Sequence, residues 1–222
     1  MTGETERVAT ARPSVAERIR QDIHSGVLEP GSPLRAQALA ERYQVSSVPV
    51  REALQQLHGE GVVVIEHNKG ARVRKLDLES VSRVCDVLEA MEAYFSRRFA
   101  EIASPFQIET ANHIEDQHEA AVLANNLVAI STGNKAFHTY ICRASNNPVA
   151  ETVWHRHSVM LGPLRRIVGF GEVRRNALSG EHREIIAAAS RGDRDRAGRM
   201  AELHARSSRD DLLERLRDAG YR

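Results

Sequence analysis

The sequence contains few residues that would indicate a secreted or membrane protein. Only two cysteines occur among the 222 residues, Cys85 and Cys142, which argues against a disulfide framework and favours buried thiols in a reducing compartment. No apolar run approaches the ~20 residues that a membrane-spanning helix needs. The first eleven residues are polar and lack the apolar core of a secretory signal. These absences predict a cytoplasmic protein with no membrane partner.

The sequence also has no large excess of positive or negative charge. The 31 lysines and arginines almost balance the 30 acidic residues, giving a net charge of +1 at pH 7. Residues 12–76 hold ten basic against seven acidic residues, a net charge of +3, whereas residues 77–222 have a net charge of −1. The length exceeds one typical domain of ~100–150 residues. We therefore expect two domains, the first slightly basic.

The N-terminal third has a pattern of short elements. Residues 1–12 lack periodicity and are predicted to form a disordered arm. Apolar residues then recur at helical spacing in three segments that begin near Ser14, Gln37 and Ser47. Two β-branched or alternating stretches, 62–65 and 71–74, flank an Asn-Lys-Gly turn and predict a two-stranded hairpin. Three helices and a hairpin within residues 13–76 predict a winged helix-turn-helix DNA-binding domain.

The leading end of the third predicted helix is the part that would enter a DNA major groove. It offers Ser47, Val48 and Arg51. An arginine here can read guanine through two hydrogen bonds or bind a phosphate; the alternative is a surface arginine that pairs with a nearby carboxylate. Because one such module buries little surface, tight binding predicts a homodimer on a palindromic operator.

One run of this segment is specific enough to indicate a family. Val45-Ser46-x-x-Pro49-Val50-Arg51-Glu52-Ala53-Leu54, with Gly61 seven residues later, resembles the DNA-binding domain of the GntR family. The resemblance implies DNA contacts for Arg35 and Arg51. It also implies that the wing tip reaches the minor groove or the backbone; its residues are His67, Lys69 and Gly70. Many relatives of the FadR type have arginine and threonine at the positions of Ser47 and Val48, so we expect a different operator sequence.

From residue 77 onward the pattern is helical throughout. Apolar stripes predict helices over 77–103, 106–124, 127–145, 148–168, 173–191 and 193–217. Short turns that contain Pro, Asn or Gly separate them. Amphipathic helices with short links bury their stripes against one another. Residues 77–222 are therefore predicted to form an antiparallel all-α bundle, which makes the protein mainly α.

Histidines stand out on these helices. Asn134 and His138 are four residues apart and share a helix face, while His182 and His204 lie on the last two helices, which a turn at Gly192 would make antiparallel. Converging imidazoles can bind a divalent metal ion; the alternative is that the histidines are scattered. The others are interpreted as solvent-facing or structural: His24, His58, His113, His118, His155 and His157.

The pattern Asn134-x-x-Phe137-His138 followed by His182 and His204 resembles the FCD ligand-binding domain of FadR-type regulators. The metal-binding branch of that domain holds zinc, nickel or a similar ion with one aspartate and three histidines, beneath a small carboxylic or amino acid effector. Here Asn134 replaces the aspartate, which should weaken the affinity for the cation and strengthen its attraction for an anion.

The resemblance also predicts an effector pocket that includes Leu88 and Glu92, next to Asn134 and the three histidines. Leu88 stands where many relatives have an arginine that binds the effector carboxylate.

These patterns predict a transcription regulator, by family resemblance a repressor that releases DNA on binding its effector. Two alternatives come from other classes. The first is a metal-dependent hydrolase, which would need a general base beside the metal and for which the sequence offers only Glu92. The second is an architectural DNA-binding dimer whose effector and metal site has lost its function, as Asn134 and Leu88 suggest.

Overall fold

The chain folds into two units that divide between Arg74 and Lys75 in the computed structural model, which describes residues 13–66 and 70–222. The predicted arm, residues 1–12, and the wing-tip residues His67 and Lys69 lie outside the described residues.

The first unit contains the three predicted helices. They are α1 (Val15–His24), α2 (Ala36–Tyr43) and α3 (Ser47–Gly59). Ser14 and Glu17 form a reciprocal capping box that begins α1, which satisfies backbone N–H groups that have no partner within the helix. The apolar faces of the helices meet in a core where Ile19, Val50 and Leu57 are fully buried. The winged helix-turn-helix prediction is confirmed.

The sheet of this unit has one strand more than the sequence predicts. Its strands are β1 (Pro33–Leu34), β2 (Val63–Glu66) and β3 (Gly70–Val73), in the antiparallel order β1-β3-β2. The predicted hairpin pairs Val63 with Val73, and β1 adds Pro33 opposite Arg72. Two residues are too short to show the alternation by which a strand is recognised, so β1 could not be read from the sequence.

The second unit is a bundle of six described helices, as predicted. They are α4 (Leu78–Ile102), α5 (Pro105–Leu123), α6 (Leu127–Ala144), α7 (Pro148–Val168), α8 (Glu172–Ser190) and α9 (Arg194–Asp218). Five begin at a residue whose side chain accepts a backbone N–H of the first turn; these residues are Asp77, Ser104, Asn126, Asn147 and Asp193. No helix in the described ranges combines the length and apolarity needed to cross a membrane.

Helices α4 and α9 run antiparallel along the centre of the bundle. Ion pairs follow their shared edge in opposite sequence order: Asp86–Arg209, Glu89–Arg206, Arg97–Glu202 and Glu101–Arg194. Beneath them, Phe95, Phe99 and Phe137 pack with Trp154 in the main core cluster. Gly192, with φ +70°, turns the chain between α8 and α9. Because this turn is tight, residues on α8 and α9 lie side by side.

Candidate functional site

The leading end of α3 is exposed in the first unit. Gln44 adopts a left-handed conformation with φ 55° and forms the tight turn from α2 to α3. Ser47 and Arg51 are exposed, and Val48 is 61% exposed although it is apolar. The buried face of α3 holds this end outward, as reading a DNA groove requires.

The side chains of two arginines of this unit make no hydrogen bond or ion pair with any described residue. They are Arg35, which precedes α2, and Arg51; both are exposed. The other described arginines of the unit bind other groups of the fold: Arg18, Arg20, Arg42, Arg72 and Arg74. The alternative interpretation of Arg51, a pair with a neighbouring carboxylate, therefore finds no partner among the described residues. Gly70, with φ +81°, is exposed at the start of β3, where a left-handed backbone favours glycine.

Three helices of the second unit bring His138, His182 and His204 together. One imidazole nitrogen from each lies within 4.8 Å of those of the other two. The Nε2 atoms of His138 and His204 are 3.1 Å apart. His182 is fully buried and His204 is 1% exposed, so the cluster lies in the interior of the bundle.

Each of these imidazoles has a carboxylate beside its Nδ1 atom. Glu115 lies 2.7 Å from Nδ1 of His182, Glu181 lies 2.8 Å from Nδ1 of His204, and Glu92 lies 3.6 Å from Nδ1 of His138. A carboxylate only accepts hydrogen bonds, so it favours the tautomer with the proton on Nδ1 and a lone pair on Nε2. In that tautomer the Nε2 atoms of His138 and His204, which face each other, each offer a lone pair.

Burial keeps two of these imidazoles neutral. Desolvation lowers the pKa of His182 to about 3, although the hydrogen bond with Glu115 opposes this shift. Desolvation, followed by the neighbouring imidazoles, also lowers the pKa of His204 well below its ordinary value. A neutral imidazole is the form that binds a metal ion.

Arg174 of α8, which is 5% exposed, holds the far side of His204 in place. It donates to Glu181, to the hydroxyl of Ser208 and to the backbone carbonyl of His204. Its Nη2 atom is also 3.0 Å from Nδ1 of His204. Because the guanidinium can only donate, Glu181 is the group that can accept the Nδ1 proton. Nothing in the sequence distinguishes Arg174 from the other arginines of these helices.

Three buried polar atoms in this part of the bundle have no hydrogen-bond partner among the described residues. They are Nε2 of His182, Nε2 of His118 on α5, and Oδ1 of Asn134, which lies one turn before His138 on α6. Buried polar atoms normally have a partner because desolvation without one is costly. Three imidazole nitrogens and one amide oxygen are a donor set that zinc or nickel accepts. The residues present therefore fit a divalent ion.

A small cavity opens beside the cluster. The cavity and the open solvent at its mouth together occupy about 250 Å³, and the lining is Glu92, Phe95, Ser96, Phe137, His138, Ile141, Ile185 and Ala201. Of the predicted pocket residues, Glu92 and His138 line it. Leu88 does not, because it is packed into the apolar core one turn before Glu92. Asn134, His182 and His204 lie outside the lining as well.

Glu115 and His118 belong to the same cluster and were missed by the sequence analysis. His118, interpreted as solvent-facing or structural, is fully buried, and its Nδ1 atom is 2.9 Å from Oε1 of Glu115. Glu115 is fully buried too. The only sequence signal is their spacing of three residues on one helix face. The sequence does not show which acidic residue of α5 is buried, because neighbouring ones such as Asp116 are exposed.

A winged helix-turn-helix followed by a helical bundle is the architecture of a DNA-binding transcription regulator. Residues 12–73 match the family of bacterial regulatory proteins called the gntR family, and residues 83–207 match the FCD domain. The chain belongs to the GntR family of transcription regulators and carries an FCD domain. It is a DNA-binding regulator and not an enzyme, so the hydrolase alternative is excluded.

Two of the similar proteins with named roles come from different bacteria. The gluconate operon transcriptional repressor of Bacillus subtilis (strain 168) is 27% identical over 141 residues, which cover 64% of this chain and 58% of that protein. The HTH-type transcriptional repressor RspR of Escherichia coli (strain K12) is 24% identical over 189 residues, which cover 84% of this chain and 82% of RspR. Both are named as repressors.

Among solved structures, E. coli McbR/YncC has the same fold. The TM-score is 0.80 at 18% sequence identity, and the match covers 91% of this chain and 96% of that one. At this identity the likeness concerns the fold alone.

Proposed function

We propose that this chain is a transcriptional repressor whose binding to DNA is controlled by a small effector bound beside a divalent metal ion in the helical unit. It would bind a palindromic operator as a homodimer and release it when the effector binds. Repression is supported by the names of the relatives, which include the gluconate operon repressor and RspR. The proposed location is the cytoplasm, where the DNA target lies.

The observation that carries the metal site is the orientation of the three imidazoles. Each has a carboxylate on its Nδ1 side, and the Nε2 atoms of His138 and His204 face each other at 3.1 Å. Carboxylate–histidine–metal arrangements of this kind fix the tautomer and make the imidazole a better ligand. His138, His182, His204 and Asn134 would hold the ion, which we expect to be zinc or nickel.

The cavity supports a small carboxylic or amino acid as the effector. Its described lining contains no lysine or arginine, so a bound divalent ion would supply the positive charge that a carboxylate needs. Glu92 can accept a hydrogen bond from an amino or hydroxyl group of the same molecule, while Phe95, Ile141 and Ile185 offer apolar contact.

The first unit would supply the DNA contacts. Arg51, Ser47 and Val48 at the leading end of α3 would enter the major groove, with Val48 available to contact a thymine methyl group. Arg35 would bind the backbone. The wing-tip residues proposed to reach the minor groove or the backbone are His67, Lys69 and Gly70.

A second candidate function is an architectural DNA-binding dimer without a working effector site. The observation that favours it is the neutral amide of Asn134 in place of an anionic ligand, since this lowers the affinity for a cation. A thermal-shift screen of the full chain with divalent ions and small carboxylic and amino acids separates the two. The proposed repressor is stabilised by an ion and further by an effector, whereas the architectural protein responds to neither.

DNA binding itself is tested with a duplex that the wild-type protein selects from a random library, measured by fluorescence anisotropy. With zinc present, each carboxylic or amino acid that raises the melting temperature should weaken binding to this duplex. Because a ligand shifts an equilibrium only by its differential affinity for the two states, an effector that stabilises the protein yet leaves DNA affinity unchanged would contradict the proposed control. Failure of the wild-type protein to select any duplex would contradict the DNA function.

A further inference from the structure

The carboxylate of Glu115 lies behind the histidine cluster, and neither the family resemblance nor the sequence pattern assigns it a role. Glu115 of α5 is fully buried, and both of its oxygens are occupied by imidazoles. Oε2 is 2.7 Å from Nδ1 of His182, and Oε1 is 2.9 Å from Nδ1 of His118. His118 and His182 are fully buried as well. The result is a chain of three polar groups that runs from His118 to the proposed metal ligand His182, and the Nε2 atom at each end has no hydrogen-bond partner among the described residues.

Glu115 has the surroundings of a buried carboxylate. Each of its oxygens faces an imidazole Nδ1 atom, and hydrogen bonds to both oxygens favour the ionised form. A charge buried this deeply is tolerated only with such partners. The carboxylate lies one imidazole ring away from the Nε2 atom of His182, which has no partner among the described residues.

We infer that Glu115 is a positioning residue that supplies, through His182, the negative charge that the metal site lacks because Asn134 is neutral. The inference rests on the proposed metal function. A carboxylate on Nδ1 makes the opposite nitrogen more electron-rich and fixes its direction, and losing such a partner weakens metal binding ~10–100-fold. In the low-dielectric interior the charge also attracts the cation across the ring.

His118 has a supporting part in this arrangement. It occupies the second oxygen of Glu115, which would otherwise be a buried charged atom without a hydrogen bond. Gly133 of α6 makes room for it, because a Cβ atom at position 133 would lie 3.0 Å from Cβ of His118. The glycine lets α5 lie close to the helix that carries Asn134 and His138, so Glu115 and the proposed ligands are held in one rigid group.

The test is the affinity of the full chain for Zn²⁺, measured by competition with a chromophoric chelator. Glu115→Gln removes the charge but keeps the size and one hydrogen-bond acceptor, and it should weaken Zn²⁺ binding ~10–100-fold at an unchanged stoichiometry of one ion per protomer. Glu119→Gln is the matched control. It makes the same change one turn later on α5, where Glu119 is about half exposed and pairs with Arg183, and it should leave the affinity within twofold.

A second substitution separates a charge effect from a merely structural one. Asn134→Asp should raise the affinity by a larger factor in Glu115→Gln than in the wild-type chain, because it restores an anion at the site, whereas a structural defect would leave the two factors equal. Thermal unfolding in the presence of chelator checks that each variant is folded.

Three outcomes would overturn the inference. They are an unchanged affinity in Glu115→Gln, an equal gain from Asn134→Asp in the Glu115→Gln and wild-type chains, and two Zn²⁺ ions per wild-type protomer of which one is lost in His118→Ala, since Glu115 and His118 would then be direct ligands. Each of these leaves the proposed metal site standing. If wild-type protein binds no Zn²⁺, the proposed function fails instead.

Discussion

His138 and His204 face each other through their Nε2 atoms at 3.1 Å, although 66 residues separate them in the chain. Both nitrogens are well placed to bind a metal ion. An ion at this point would be held by α6, α8 and α9 together. Metal binding would therefore stabilise the packing of these three helices against one another.

Zinc should stabilise the helical unit. At a free concentration ~100 times its dissociation constant, a ligand adds ~2.7 kcal/mol to the stability of the native state, which corresponds to ~5–10 °C in melting temperature for a unit of this size. His138→Ala should lose this shift. His113→Ala should keep it, because His113 is exposed on α5. An equal shift in both variants would mean that zinc binds elsewhere.

Asn134→Asp should tighten the binding of zinc about tenfold or more, equivalent to ~1.4 kcal/mol, because it places an anionic oxygen next to the three imidazoles. The added negative charge should also weaken the binding of an anionic effector. Chelator competition measures the first effect, and titration with the effector found in the thermal-shift screen measures the second. Asn176→Asp, which adds the same charge on the exposed side of α8, should change neither.

The fold was predictable from the sequence to within a residue or two at most helix ends. Asp77, Ser104 and Asn147 are polar residues directly before apolar stripes, and such signals mark where helices begin. The helical spacing of the apolar residues predicted the extent of each helix. Strand β1 was missed because Pro33 and Leu34 show no pattern that a loop would not also show.

Only the part of the site that lies on one helix, or on two helices joined by a short turn, was predictable from the sequence. His182 and His204 could be paired because a single turn at Gly192 separates their helices. Glu115 and His118 could not, because their role depends on the contact of α5 with α6 and α8, which no local pattern encodes. Leu88 was placed in the pocket by resemblance, but packing directs it into the core.

Arg51→Ala should weaken binding to the selected duplex by ~1–3 kcal/mol if the side chain reads a base, and the loss should be smaller on unrelated DNA. Arg42→Ala is the matched control, since Arg42 is a half-exposed arginine of the same unit that pairs with Asp22. Anisotropy titrations at several salt concentrations distinguish a base contact from a phosphate contact, because only loss of a phosphate contact lowers the salt dependence. Equal affinities of Arg51→Ala and the wild type would argue against insertion of α3.

Neither cysteine should react in the native protein. Cys85 is 7% exposed and Cys142 is 1% exposed, and burial raises the pKa of each thiol to about 12. Since the thiolate is the reactive form, a disulfide reagent at pH 8 should titrate no thiol before denaturation and two afterwards. Rapid reaction of one equivalent in the folded protein would show that a helix around it opens.

The central claim is that His138, His182 and His204 form a divalent-metal site, and elemental analysis tests it most directly. Protein purified without chelator should contain about one zinc or nickel ion per protomer, and His138→Ala and His204→Ala should each contain far less at equal concentration. A wild-type protein with no stoichiometric metal, which also fails to take up zinc on dialysis, would contradict the account.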